Sequence, residues 1–272
     1  MMNVRIVTLG IILFINVFNA KSQKISTGTK LQIKQIQKLN NSSNMMGMDM
    51  QTVMNGTSDV VVEIKSVKDS TIVLTAKTVH LSGSVSLMGQ ESAYDSNDST
   101  TMKSPMAAPF LADLNKPKEF VFVNGNLISE NKNKTNDPVI NTGLQLNLSE
   151  LIGQLFISSV FKNKSEGYKW SSEEKSNGDS MKSISIYSVS KSTEKITEIT
   201  STTTQSIKGT NTMMGMDVTQ NLTGSRTSVL TYDRVTGILS SISQNIEMKG
   251  TAEAMGTSIP VNTKGTITTT VK

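Results

Sequence analysis

Met213-Met214-Gly215-Met216-Asp217 repeats, letter for letter, the stretch Met45-Met46-Gly47-Met48-Asp49. The match extends outward from both copies. Gly215 follows Gly47 by 168 positions, and Gly224 follows Gly56 by the same interval. Further on, Gly83 and the pair Met88-Gly89 recur as Gly250 and Met255-Gly256, now 167 positions later. One residue has dropped out between the two sets, where turn-rich Lys65–Ser70 faces Asp233–Gly237. Spacing held across four glycines and a single deletion marks an internal duplication, which takes precedence over any local assignment.

Each unit reads as β. The runs between the glycines are rich in Thr, Val, Ile and Ser, the composition of strands. A Met-Gly pair between two such runs suits a tight hairpin, because glycine supplies the positive φ these turns need. A unit is then a four-stranded meander whose first and third turns are the Met-Gly pairs, lying on one rim. Its second turn, at Lys68-Asp69 or Arg234–Gly237, lies at the other end. Strands approaching fifteen residues span about 50 Å, so Gly56, Gly83, Gly224 and Gly250 are natural places for bulges or sharp coiling. Ile72, Leu74 and Ala76 are apolar on even numbers, whereas Val79, Leu81, Val85 and Leu87 are apolar on odd ones. A one-residue slip near Lys77-Thr78 would keep both sets on one face.

Length, charge and composition narrow the class. The chain has 272 residues, room for one large or two small domains. Arg5, the apolar run Ile6–Phe18 and the small residues after it read as a signal peptide. Cleavage after Ser22, with Ala20 at −3, satisfies the small-residue rule better than cleavage after Ala20; an uncleaved anchor is the alternative. No later segment is long and apolar enough to be a spanning helix. The organisation expected is a signal peptide over 1–22 and one β-rich domain over 23–272. Its repeat halves cover about 29–95 and 194–272, around a central insertion of about 96–193. The absence of cysteine removes disulfides, thiol catalysis, thiolate metal sites and a lipidated N-terminal cysteine. The net charge of +5 is spread without a dense basic run, which together with export argues against nucleic acid.

The insertion carries the clearest local signals. Asn124-Gly125 between Glu119–Val123 and Asn126–Ser129 is a hairpin. Leu148–Phe161 shows an apolar stripe at helical period, with Asn147 and Glu150 spaced as a capping box. Pro105–Leu114 is a second, short helix with proline near its start. Gly167-Tyr168-Lys169-Trp170 returns to strand, with the single tryptophan as its anchor. Asp95–Ser99 has acidic spacing faintly like a calcium loop, but lacks the glycine and distal glutamate of that motif.

The order of these features resembles a domain-of-unknown-function family of secreted Gram-negative bacterial β-rich proteins, numbered six-two-six-three. The residues that carry the resemblance are Thr212–Met216, its twin Met45–Asp49, Met88-Gly89-Gln90 followed by Tyr94-Asp95-Ser96, and Gly167-x-x-Trp170 after an amphipathic helix. The resemblance covers nearly all of the mature chain. It implies export and β-structure, and no activity.

Catalytic chemistry finds little to work with. His80 is the only histidine and lies inside a strand, where a satisfied structural role is the simpler reading. Glu173 and Glu174 are neighbours that face opposite ways on a strand, and no glycine-rich phosphate loop precedes a helix. The expectation is a protein that is not an enzyme and carries no metal or other cofactor. The compositional excess is methionine, 16 in all. Met45, Met46, Met48, Met88, Met213, Met214, Met216 and Met255 gather at the hairpin tips. They would pad irregular apolar ends, or form a soft rim that binds a lipid or other hydrophobic molecule. Cu(I) binding by thioethers is the weaker third reading, since no histidine accompanies the tips. The fold expected is all-β and mainly antiparallel. Two meanders form a large curved sheet, half-barrel or barrel, and two short helices belong to the insertion. The function expected is an exported, non-catalytic binding protein that is periplasmic, cell-surface or extracellular. The rival is a structural or protein-interaction module of the bacterial envelope.

Overall fold

The computed structural model describes residues 25–45, 48–87, 90–101, 113–130, 148–162, 164–175, 181–213, 216–254 and 256–272. Among the described residues, twelve strands form one antiparallel sheet. The first meander comprises β1 (Lys30–Met45), β2 (Met48–Lys68), β3 (Thr71–Leu87) and β4 (Gln90–Asp95). The second comprises β9 (Ile196–Met213), β10 (Met216–Asp233), β11 (Leu239–Ala254) and β12 (Thr257–Val271). Between them lie β5 (Lys118–Val123), β6 (Asn126–Glu130), the helices α1 (Leu148–Gly153) and α2 (Ser159–Lys162), β7 (Lys169–Lys175) and β8 (Met181–Ser192).

The spatial order is β6-β5-β3-β2-β1-β12-β11-β10-β9-β8-β7, with β4 also against β3. Of the expected closures, the curved open sheet is the one formed, and β1 against β12 is the seam joining the two meanders. The four pairs Met45–Met48, Leu87–Gln90, Met213–Met216 and Ala254–Thr257 close the hairpins at one rim. The turns after β2 and β10 lie at the opposite end, as does the Asn124-Gly125 turn, since Val123 pairs with Thr71. Asn124 and Gly125 both have positive φ, 53° and 77°, the geometry of a two-residue primed hairpin turn.

The slip inferred from the phase change of β3 is present. Asp59 pairs with His80 and Val60 with Thr78, leaving Val79 as the extra residue. The glycines behave differently from the bulges expected of them. Gly56 faces Gly83 in regular register, and other shifts fall beside Lys65 and between Thr231 and Tyr232. The glycines answer instead to close approach. A Cβ on Gly224 would run into the Glu247 carbonyl and Met248, and one on Gly250 into the Asn221 carbonyl.

Side chains alternate between two faces along each strand. One face carries the core, which sits at the end away from the methionine rim. Ile33, Val60, Val62, Ile64 and Leu74 meet Leu230, Leu239 and Ile242 of the second meander there. The segment 148–162 fills the space between them, contributing Leu151, Ile152, Leu155, Phe156, Ile157 and Phe161. The single helix expected over Leu148–Phe161 is interrupted after Gly153, because the intervening main chain bonds to the sheet. The Leu239 N–H donates to the Leu155 carbonyl at 2.8 Å, and the Ile157 N–H donates to the Gly237 carbonyl at 2.8 Å. At the other side the Ser159 N–H donates to the Asn124 carbonyl at 3.0 Å. These bonds replace the i→i−4 bonds a continuous helix would make. Trp170 does anchor its junction, stacked on Tyr187 at 4.9 Å and packed on Phe161 at 4.6 Å. The expected helix over Pro105–Leu114 falls almost wholly outside the described residues.

Candidate functional site

Following the core face from the core toward the rim, its chemistry changes. Beyond Ile242 and Leu230 lies a belt of buried polar side chains, among them Gln37, Gln244, Ser228, Ser201, Thr203 and Ser185. Cross-strand bonds hold parts of it together. Gln244 Nε2 donates to Ser228 Oγ at 3.2 Å, and the Ser185 and Thr203 hydroxyls are 2.8 Å apart. Arg226 projects on this face and pairs with Glu150 of α1, tying the plugging segment to β10. The Arg226 Nε, the Ser58 Oγ and the Asn41 Oδ1 are buried there and have no hydrogen-bond partner among the described residues. Met54 and Met248 are buried beside this belt.

The methionine rim itself is only partly visible. Met45, Met48, Met213 and Met216 close strand ends as cross-strand pairs. Met46, Met88, Met214 and Met255 lie outside the described residues.

The opposite, outer face carries a groove of about 630 Å³ across the middle of the sheet. Register shows how it is built. One rung runs Asn55–Lys38–Thr266–Asn245–Thr227 across β2, β1, β12, β11 and β10. The next, one step nearer the rim, runs Val53–Asn40–Lys264–Glu247–Ser225. All ten line the groove, together with Leu39, Ile246 and Gly265. Five strands at about 4.8 Å spacing make it roughly 19 Å long. The seam runs through it, so the first meander supplies four of the ten side chains and the second supplies six. Neither unit could make it alone. Glu247 accepts from Lys249 at 3.0 Å and lies 3.5 Å from Lys264. The Lys249 hydrogen bond, helped by the two lysine charges, holds the Glu247 carboxyl below its usual range. The strand composition and the duplication were readable in the sequence. The groove was not, because no local signal says which strands become neighbours across the seam.

His80 is also on the outer face. Its Nδ1 is 3.0 Å from Asp59 Oδ2 and its Nε2 3.0 Å from Asp95 Oδ1. Both ring nitrogens are thus engaged by carboxylates, one on each side of the ring. The Asn97 N–H and then His80 hold the Asp95 carboxyl below its ordinary value. The Asp95 and Asp98 carboxylates also bond to the loop's own main chain. Asp95 Oδ1 accepts the Asn97 N–H at 2.8 Å, and Asp98 Oδ1 accepts the Thr100 N–H at 2.9 Å. This is a self-bonded turn. Among the described residues, no cluster of three or more His, Asp or Glu is placed to hold a metal. Among them too, no helix is long and apolar enough to cross a membrane.

No protein-family model matches the chain, and no curated protein matches it. Among solved structures, an outer membrane channel from Pseudomonas putida F1 aligns over 93% of this chain and 98% of its own, at 9% identity and a TM-score of 0.31. The translocator domain of the autotransporter NalP from Neisseria meningitidis aligns over 91% and 90%, at 8% identity and a TM-score of 0.21. A DUF1329 family protein from Desulfovibrio piger aligns over 90% and 87%, at 8% identity and a TM-score of 0.14. Similarity at this level does not specify a shared function.

Proposed function

We propose that the chain is an exported, non-catalytic β-protein of a Gram-negative envelope, of the six-two-six-three type, that holds a ligand on its sheet. The observation that carries the binding reading is the groove across the seam. It gathers ten side chains from five strands and both repeat units onto one surface. Junctions between structural units are common places for ligand sites. Export rests on the N-terminal sequence. The non-catalytic reading rests on the scarcity of histidine and cysteine and on the capture of His80 by two carboxylates.

A second reading, an apolar ligand at the methionine rim, is favoured by one observation. The core face turns apolar again near the rim, where Leu222, Ile207 and Val261 are half-buried. The envelope interaction module remains the rival to both.

Native mass spectrometry of the protein purified from its own envelope fraction tests all three. The account expects a chain beginning at Gln23 with a bound mass that is lost on Asn245→Leu with Lys264→Leu. A mass that survives those changes but is lost on replacing Met45, Met46, Met213 and Met214 by Ser would move the site to the rim. A bare polypeptide would leave the interaction module.

A further inference from the structure

We infer that the outer-face groove is a site for an acidic glycan, a linear hydroxyl-rich chain bearing carboxylates. This rests on the groove reading above and adds its ligand class. The argument begins with what the strands can offer. β1, β12 and β11 are interior strands, hydrogen-bonded on both sides. Their main chain has no free ladder to lend, so a partner cannot add as an extra strand. Recognition falls to the side chains alone.

Those side chains are amides and hydroxyls for the most part. Asn40, Asn245 and Thr266 stand in the two rungs, and the apolar residues of the lining are Val53, Leu39 and Ile246. Amides and hydroxyls both donate and accept, which matches the hydroxyl groups of a sugar. An apolar ligand would leave these polar groups unpaired, at a cost.

Charge then separates acidic from neutral chains. Lys264 is shared with Glu247, which Lys249 also neutralises. Lys38 has no carboxylate partner among the described residues. The groove-lining side chains therefore set two lysines, Lys38 and Lys264, against one carboxylate, Glu247, a net charge of +1 among neutral hydrogen-bonding groups, with Lys249 beside Glu247 just beyond them. Nucleic acid or polyphosphate calls for several cations in a row; a sparse carboxylate on a polyhydroxyl backbone calls for one. Within each rung the side-chain positions repeat at every strand, about 4.8 Å apart, a regular lattice suited to a polymer of repeating units.

The test titrates the mature protein at low salt with hexagalacturonate, following backbone amides by NMR. Its methyl-esterified form serves as the uncharged control, and hexaglutamate as an acidic chain without hydroxyls. Lys38 is exposed, so Lys38→Gln should leave the fold intact, which a thermal melt verifies. Hexagalacturonate should shift amides of β1, β11 and β12 around the two rungs. Lys38→Gln should weaken it about fivefold, the scale of one exposed charge pair. The ester should bind more weakly than the acid to the native protein and be indifferent to Lys38→Gln, and hexaglutamate should not bind. Equal binding of acid and ester would overturn the charged class while keeping the groove. Binding of hexaglutamate as tight as that of hexagalacturonate would overturn the glycan class. Shifts confined to other surfaces, or none with either sugar, would overturn the site assignment. The bound mass of the exported protein decides the broader binding reading separately.

Discussion

Replacing Phe156 by alanine should destabilise the protein more than most single changes. Phe156 lies between α1 and α2, is 5% exposed, and bridges Ile238 at the turn between β10 and β11. Its ring meets Phe122 of β5 edge-on, with centroids 4.9 Å apart and planes at 80°. One side chain thus links the strands beside the first meander to the second. Truncating a buried phenylalanine costs about 3–5 kcal/mol. Of this, roughly 0.5–1.5 kcal/mol belongs to the aromatic pair. For a chain of this size each kcal/mol lowers Tm by about 2–4 °C, so a fall of roughly 6–20 °C is expected. Urea unfolding should show a lower midpoint with the slope unchanged. Phe156→Leu, which keeps most of the volume, should cost less than half as much. Hydrogen exchange in Phe156→Ala should quicken first at β5, β6 and the start of β11. A loss below about 1 kcal/mol would mean that the 148–162 segment is not core, and the reasoning would fail.

Other consequences concern single interactions. A double-mutant cycle on Arg226→Met and Glu150→Gln should give a coupling of about 1 kcal/mol that shrinks with salt, because Glu150 is partly exposed. Gly250→Ala should cost about 1–3 kcal/mol, since its Cβ would meet the Asn221 carbonyl and, at 2.9 Å, the Leu222 Cα. Gly256→Ala, at φ +75° in open space, should cost about 1 kcal/mol, and paired urea titrations compare the two. The carboxyls of Asp95 and Asp98 are held below their ordinary value of 3.8 in the folded protein. Their stabilisation is complete above that value and disappears as pH falls through the depressed range. Acid titration should therefore loosen the 95–101 loop below about pH 4, and Asp98→Asn should remove part of that dependence.

What could be read from the sequence divides along the range of the interactions. The turns were legible because Asn124-Gly125 and the Met-Gly pairs are local chemistry. The slip at Val79 was legible because alternation on a strand changes phase when a residue is added. The helix over Leu148–Phe161 was half legible. Its apolar stripe does face the core, but bonds from Leu239, Gly237 and Asn124 interrupt it, and those partners are distant in sequence. Glycine spacing gave the duplication, yet mistook close approach for bulging, since a missing Cβ serves either purpose. The seam lay furthest out of reach. Lys38 and Thr266 become neighbours only when β1 meets β12, and no short-range pattern in either strand announces it.

That seam can be tested in a chain that has no cysteine of its own. Asn40 and Lys264 are directly opposed across β1 and β12 and both line the groove. Opposed residues place their Cβ atoms about 4.5–5.5 Å apart, within reach of a disulfide after slight adjustment. Asn40→Cys combined with Lys264→Cys should therefore oxidise readily, read by loss of free thiol, while Asn40→Cys combined with Thr257→Cys should stay reduced. Free thiols persisting in the first pair under oxidant, with the fold intact, would contradict the joining of the two units at this seam and the groove built upon it.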